Sequence, residues 1–390
     1  MTRKLLFAHD DRVTIDGKGV PSSFNYTRHL IDRYRYLADQ ATFAVRCSEA
    51  DPVRWYDDAT IACIPEMKHG MALARYGAAR RTVEKLVADH DVVVARLPSL
   101  IGSWALRAAW RHRKPVIIEF VGCPWDALWN HSLKGKLVTP FFWAKNRVLV
   151  SQAEYVVYVT EHFLQNRYPT SGFAIACSDV EVELVPDEQL AQRRERFRQL
   201  GSTSPFVLGT IANLDVRYKG HDLVIRALAA LGDSGKRFIY RMIGPGDPGR
   251  LWRLGESLGI QDQLEFVGGL SREAIPGALD EIDVYIQPSR QEGLPRAMIE
   301  AMARGCVVLG ARTGGIPELL DSEWVFPSGD WKAISDRLKD ISKADLDQAS
   351  QRNHAVAAGY QLDVLNERRQ KFYDRFLAAH GMAATRAALE

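Results

Sequence analysis

The sequence predicts an α/β chain of two doubly wound, Rossmann-like domains, on three observations. Short apolar, β-branched runs alternate with longer stretches of helical periodicity, the pattern of parallel strands joined by crossover helices. Two such sets occur, one in each half of the chain. At 390 residues the chain exceeds one ordinary core and suffices for two.

The first set places strands at residues 4–8, 42–46, 92–95, 116–120 and 155–159. The second places them at 206–211, 238–243, 264–267, 284–286 and 307–309. Helices fill the intervals; Leu223, Ala227, Leu228 and Leu231 form one apolar stripe at helical spacing. The boundary is expected between Pro186 and Pro205. There a charged helical segment (188–198) is followed by the turn-rich run Gly201-Ser202-Thr203-Ser204-Pro205. A last periodic segment covers residues 362–378.

Composition bounds the class. The chain is 46% hydrophobic and 25% charged, with a formal net charge of +3, as in soluble globular proteins. No apolar run approaches the roughly eighteen residues of a membrane span. The start is basic, but its apolar run is too short for a signal peptide and reads as a first strand. The five cysteines (Cys47, Cys63, Cys123, Cys177, Cys306) are odd in number, widely spaced and without a Cys-x-x-Cys pair. That argues against a disulfide framework and a structural zinc site, and for a reducing compartment, most simply the cytoplasm.

Charge is uneven: residues 1–180 carry about +6 and the remainder about −3. Between Arg96 and Arg147 nine Lys/Arg face two acids, Glu119 and Asp126. Trp104, Arg107, Trp110, Arg111, Arg113 and Lys114 are expected in one helical segment, and Lys134 through Arg147 in another that carries Phe141, Phe142 and Trp143. Cations mixed with interfacial aromatics suit an anionic lipid surface, and equally a solvated helix with a packed aromatic face. No nucleic-acid motif occurs, so nucleic acid is not an expected partner.

The most informative run is Gln287-Pro288-Ser289-Arg290-Gln291-Glu292-Gly293-Leu294-Pro295, followed by a helical pattern through Glu300 to Gly305. An apolar strand precedes it. Pro295 is well placed as the first helical residue and Gly305 as the residue that ends the helix. A helix N-terminus presents free N–H groups to an anion. Carboxylates only accept hydrogen bonds and so suit sugar hydroxyls. Phosphate plus polyol describes a nucleotide sugar. No P-loop, dinucleotide-binding glycine pattern or H-E-x-x-H spacing is present, and Asp10-Asp11 alone does not make a metal site.

Glu292 and Glu300 stand eight positions apart. They resemble the E-x7-E element of retaining glycosyltransferases of the GT-B fold, and the surrounding residues resemble glycosyltransferase family four. The resemblance implies two Rossmann-like domains facing across a cleft. Residues 1–185 would bind the acceptor, residues 186–360 the nucleotide-sugar donor, and residues 361–390 would return to the first domain as a final helix. It implies that Glu292 meets the donor sugar, Glu300 the ribose, and Lys219 the diphosphate without a metal. The usual arginine about five positions before that lysine is missing, with Asn213 and Leu214 in its region, and Arg217 is the substitute. Gly244, Gly268, Gly293, Leu294 and Pro295 complete the implied donor contacts, and the Gly314-Gly315 pair closes the loop facing Glu292. On the acceptor side the resemblance points to Gly17 and Gly19 in a glycine-rich loop, and to Glu119 and Asp126. A histidine common at the end of the strand 116–120 is absent. The stretches 116–131 and 158–169 resemble bacterial enzymes of capsule, exopolysaccharide or lipopolysaccharide synthesis.

The expected activity is therefore retaining transfer of a hexosyl group from a nucleotide diphosphate sugar, a UDP-sugar ahead of GDP- or dTDP-sugars, with no other cofactor. The acceptor is a glycan or lipid-linked oligosaccharide, reached by peripheral contact with the inner face of the membrane. The alternatives are a sugar-nucleotide epimerase, a phosphorylase-like enzyme, or a non-catalytic nucleotide-sugar-binding module.

Overall fold

The computed structural model describes residues 2–15, 21–22, 28–47, 53–65, 73–129, 133–180, 182–199, 205–232 and 236–385. Gly17 and Gly19 lie outside them. The chain divides into two compact units: residues 1–124, 141–177 and 366–390 form one, and residues 125–140 and 178–365 the other.

The first unit contains β1 (Lys4–Arg12), β2 (Thr14–Ile15), β3 (Pro21–Ser22), β4 (Gln40–Cys47), β5 (Val53–Tyr56), β6 (Ala59–Pro65), β7 (Val92–Leu97), β8 (Val116–Phe120), β9 (Tyr155–Tyr158) and β10 (Phe173–Ala176). Eight of these form one sheet in the order β10-β9-β8-β7-β1-β4-β6-β5. All its pairings are parallel except β5 with β6. From β1 the chain winds one way through β4 and β6, then returns to add β7 to β10 on the other side. The strand order therefore reverses between β1 and β7. Leu5, Leu6, Phe7, Val92, Val93 and Val94 are fully or almost fully buried. Such unbroken apolar runs are what a parallel sheet covered on both faces requires.

Three strands of this sheet, β5, β6 and β10, were not among those expected. In β6 the sequence Ala-Thr-Ile-Ala-Cys-Ile-Pro is rich in small residues, and its burial comes from lying between β4 and β5. That neighbourhood corrects the cysteine reading. Cys47 on β4 and Cys63 on β6 form a disulfide across the two strands, with Cα atoms 5.2 Å apart, while Cys123, Cys177 and Cys306 are buried. The pairing follows from a strand adjacency that spacing along the chain does not reveal.

The helix Leu100–Arg111 starts at Ser99, whose side chain accepts from the Gly102 N–H. It ends before Arg113, which has a positive φ of 53°. Arg113 and Lys114 thus follow the helix rather than belong to it. Arg111 pairs with Glu84, and Trp104 is buried. The helix Leu362–Ala379 sets Phe372 in a stack on Phe173 at 5.6 Å and Phe376 edge-on to Tyr155 at 5.1 Å.

The second unit contains β11 (Phe206–Ile211), β12 (Phe238–Ile243), β13 (Leu264–Gly268), β14 (Val284–Gln287), β15 (Val307–Ala311) and the short, unforeseen β16 (Val325–Phe326). They form an all-parallel sheet in the order β13-β12-β11-β14-β15-β16. Here the order reverses between β11 and β14. The change of unit falls between Cys177 and Ser178, ahead of the stretch 186–205. That stretch begins with the helix Asp187–Gln199, which Arg194 ties to Asp347 on the helix Lys343–Ala358.

Candidate functional site

In an open parallel sheet the loops leaving the carboxyl ends of two strands diverge where the strand order reverses, and this leaves a crevice. In the second unit the loop after β11 carries Lys219, and the loop after β14 carries Glu292. The Lys219 ammonium donates to Glu292 Oε1 at 2.7 Å. The two side chains are 23% and 10% exposed, so the pair is partly desolvated while the lysine keeps access to water.

Two glycines allow the loops this close. Gly220 has a φ of +78°, and a Cβ there would lie 2.1 Å from the Pro288 carbonyl oxygen. Gly314, after β15, has a φ of +57°, and its Cβ would lie 2.3 Å from the Glu292 carbonyl oxygen. Any side chain at either position strains the backbone and displaces the loop that bears Glu292. The Gly315 N–H donates to the Gly293 carbonyl at 2.7 Å, and the Arg290 N–H donates to the Tyr218 carbonyl at 2.7 Å. Arg290 also bonds Asp222 through two nitrogens at 3.3 and 3.1 Å. The loops after β11, β14 and β15 are thereby locked together by backbone and ionic bonds.

Below the pair lies a buried polar layer. The Gln287 Nε2 donates to Glu292 Oε1 at 2.9 Å and to Ser289 Oγ at 2.8 Å, and Gln287 Oε1 accepts from the Tyr285 hydroxyl at 2.9 Å. Tyr285 in turn accepts from the Ile211 N–H at 3.4 Å. Burial holds the Tyr285 phenol well above its usual range, and the negative charges of Glu300 and Glu292 add to this. It stays a neutral donor. A second chain runs from the Tyr240 hydroxyl to Thr210 Oγ1 at 2.9 Å and from Thr210 Oγ1 to the Ile286 carbonyl at 2.7 Å. His221 Nδ1 lies 2.9 Å from the Tyr240 hydroxyl. Burial lowers the His221 pKa to about 4, so its imidazole is neutral near pH 7.

Of the residues singled out in the sequence, the fold unites Lys219 and Glu292 directly. Leu294 and Pro295 are buried in the loop entering the helix Arg296–Ala303. Pro295 is the cap of that helix, with an extended ψ of 111°, rather than its first residue. Gly305 follows the C-cap Arg304, and the half-buried Glu300 sits in the second turn. Gly244 and Gly268 lie at the ends of β12 and β13, joined by a Gly244 N–H to Gly268 carbonyl bond of 2.8 Å. Arg217 is exposed; its carbonyl accepts from Arg290, and no hydrogen bond or ion pair joins its side chain to Glu292.

The acceptor-side residues behave differently. Glu119 is 7% exposed and accepts on both oxygens inside the first unit, from the Tyr34 hydroxyl at 2.9 Å and from Arg96 at 3.4 Å. That engagement sets it apart from an acid presented to a ligand. Asp126 lies on the short helix Pro124–Trp129, which falls with the second unit from Trp125 onward. On the same helix Trp125 and Trp129 stack at 5.5 Å. Among the described residues, no group of three or more His, Cys, Asp or Glu side chains is placed to hold a metal.

Sequence reasoning missed Gln287, Tyr285, Arg290 and Asp222. Gln287 left a trace, a polar side chain closing an otherwise apolar strand before Pro288. The other three are recognisable only from their partners.

Comparison with known proteins agrees with this geometry. Residues 192–361 match the family described as glycosyl transferases group 1. The chain is 26% identical over 289 residues to the protein CapJ of Staphylococcus aureus, an alignment covering 73% of this chain and 72% of CapJ. It is 33% identical over 155 residues to the putative colanic acid biosynthesis glycosyltransferase WcaL of Escherichia coli, covering 37% and 38% of the two chains. It is also 33% identical over 153 residues to the amylovoran biosynthesis glycosyltransferase AmsK of Erwinia amylovora, covering 37% of each. Among solved structures, a sucrose-phosphate synthase from Thermosynechococcus elongatus superposes with a TM-score of 0.73 at 14% identity, over 97% of this chain and 100% of that one. The Anabaena protein HepE in complex with UDP superposes with a TM-score of 0.66 at 16% identity, over 96% and 100%. Residues 192–361 thus carry a glycosyl transferases group 1 domain, and the chain has a GT-B fold.

Proposed function

We propose that this chain transfers a hexosyl group, with retention and without a metal ion, from a nucleoside diphosphate sugar to a hydroxyl of a glycan or lipid-linked acceptor in bacterial surface-polysaccharide synthesis. The observation that carries the reading is the Lys219–Glu292 contact of 2.7 Å where the second sheet reverses order. A cation and a carboxylate side by side match the two halves of the donor, a diphosphate and a sugar.

In this reading the bond between the anomeric carbon and the diphosphate oxygen breaks, and its electron pair leaves with the phosphate. Lys219 and the N-terminus of the helix Arg296–Ala303 stabilise that charge. The acceptor oxygen bonds the same face of the sugar, and its proton passes to the departing phosphate. Glu292 orients the sugar through Oε2, which has no hydrogen-bond partner among the described residues, and need not attack. Glu300 accepts from the ribose. Gly244 and Gly268 leave room for the nucleoside, Gly293, Leu294 and Pro295 shape the phosphate end, and exposed Arg217 is a second cation for it. Residues 178–365 then act as the donor-binding unit, with Gly17, Gly19 and Asp126 assigned to the acceptor side, while Glu119, engaged on both oxygens, is not carried over as an acceptor contact.

Other findings support parts of this. The Anabaena neighbour was solved with UDP and with UDP-glucose. The relatives WcaL and AmsK are glycosyltransferases of colanic acid and amylovoran biosynthesis. No helix among the described residues is long and apolar enough to cross a membrane. Peripheral contact on the cytoplasmic face is also proposed, on the eight Lys/Arg from Arg107 to Arg147.

The test is a screen of UDP-, GDP- and dTDP-sugars by thermal shift, since a ligand bound only by the folded state raises its melting temperature. Product analysis by NMR, with and without EDTA, follows. Transfer or slow hydrolysis with an α-anomer conserved and EDTA without effect supports the reading. An inverted product, or an isomerised nucleotide sugar released without any acceptor, overturns it. For the membrane contact, co-sedimentation with anionic vesicles should fall with salt and with Arg111, Arg113 and Lys114 replaced by Glu. Equal binding to neutral vesicles rejects it.

A further inference from the structure

We propose that Gln287 is a positioning residue that holds Glu292 in its reactive orientation through a hydrogen bond to a single carboxylate oxygen. The inference rests on the reading of Glu292 as the group that orients the donor sugar.

Gln287 ends β14, the strand beside the reversal of order, and is 2% exposed. Each of its polar atoms is committed: Nε2 donates to Glu292 Oε1 and Ser289 Oγ, and Oε1 accepts from Tyr285. The amide is therefore fixed in one sense, with its nitrogen toward Glu292. Lys219 bonds the same Oε1, so both donors converge on one oxygen and leave Oε2 facing away from them. A lysine alone is a point charge on a flexible stem and does not set the plane of a carboxylate. A buried amide, itself fixed by Ser289 and Tyr285, does. Because Tyr285 also takes the Ile211 N–H at the end of β11, Gln287 references Glu292 to both strands that flank the crevice.

An ionisable residue of the same shape separates positioning from mere packing. In Gln287→Glu a second carboxyl would lie beside Glu292, and two carboxylates that close do not both ionise readily. The ionisable groups around it are Lys219 and Glu292 from the two loops, Tyr285 on the same strand, and Glu300, whose charge reaches Tyr285. Lys219 favours the charge on Glu292, so the new residue keeps the proton. When protonated it can donate to Glu292 Oε1 as the amide does. When ionised it cannot, and it repels Glu292.

The experiment measures kcat and donor KM from pH 5 to 9 for the wild type, Gln287→Glu and Gln287→Leu, with unfolding curves at each pH. Gln287→Leu should lose at least about tenfold in kcat at every pH with donor KM within about threefold. Gln287→Glu should approach wild-type kcat at the acid end and lose about tenfold or more as pH rises, an alkaline limb the wild type lacks. Its carboxyl has a folded pKa raised above its unfolded one. The associated stability is therefore present at low pH and lost as pH rises through the folded value. That slope should shrink when Glu292→Gln is added. Parallel, pH-independent losses in both variants, or wild-type kcat in Gln287→Leu, overturn the proposal. So does an unfolding slope that Glu292→Gln leaves unchanged. A wild-type chain inactive with every donor sinks the functional reading instead, and the unfolding curves then decide this one alone.

Discussion

Each sheet buries a carboxylate beside a cation near the carboxyl ends of its strands, and the two acids are almost equally shielded. The side chain of Glu119, paired with Arg96, is 9% exposed; that of Glu292, paired with Lys219, is 10% exposed. Burial therefore does not distinguish them; the distribution of hydrogen bonds does. Glu119 receives one bond on each oxygen, from Tyr34 and from Arg96. Glu292 receives two bonds on Oε1 alone, and glycines at 220 and 314 close its loop from either side. An acid engaged on both oxygens braces a fold. An acid held by one oxygen, on a loop at a crevice, can turn the other toward a ligand.

The largest effect that tests this contrast is at Glu292. Glu292→Gln keeps the shape but loses the charge, and transfer should fall by about a thousandfold, about 4 kcal/mol of barrier, while nucleoside diphosphate still binds. Steady-state kinetics beside calorimetry checks it, and near-normal turnover would remove Glu292 from the donor site. Next comes Glu119→Ala, which removes the carboxylate that the Tyr34 hydroxyl and Arg96 both bond. We expect about 3 kcal/mol of lost stability by denaturant unfolding, with turnover per folded molecule within about twofold. The reverse pattern, intact stability with lost transfer, would make Glu119 an acceptor contact and erase the contrast.

A third expectation concerns His221, under the second crevice. Its folded pKa of about 4 lies below the unfolded value of about 6.5. The neutral imidazole therefore stabilises the fold above pH 6.5, and that contribution is lost as pH falls from there toward 4. The loss is about 3 kcal/mol in all, and unfolding curves for His221→Asn should be flatter over the same window. An unchanged slope in the variant would place the acid sensitivity elsewhere. The smallest effect is at Glu300, a turn into the helix. Glu300→Ala should weaken nucleotide binding by about 1–3 kcal/mol by calorimetry with the fold intact. Unchanged affinity would detach it from the ribose.

The strands β8, β11 and β12 are legible in the sequence to the residue, because strands of a parallel sheet covered on both faces read as mostly apolar runs, interrupted here only by Glu119, Thr210 and Arg241. β6 was not, since alanine, threonine and cysteine are apolar enough to bury only once β4 and β5 flank them. The Cys47–Cys63 bond went unseen with it. The loop of Glu292 is legible because a strand-to-helix loop with glycine, proline and an acid is a local pattern, whereas Lys219 is picked out only by the family resemblance. Arg113 and Lys114 were placed on a helix that ends before them, where helical spacing continues past the backbone's own termination.

The sequence by itself determined two α/β sheets and the loop that carries Glu292, because periodicity and turn chemistry act over a few neighbouring residues. Only the tertiary structure decided which strand ends meet where the order reverses, that Gln287 and Lys219 share one oxygen of Glu292, and that Glu119 is engaged on both of its own. Those are contacts between residues 5 to 85 positions apart, and in the last case 23 and 85. A hydrogen bond depends on distance and direction in space, which residue type and spacing along the chain leave unspecified until the sheets form.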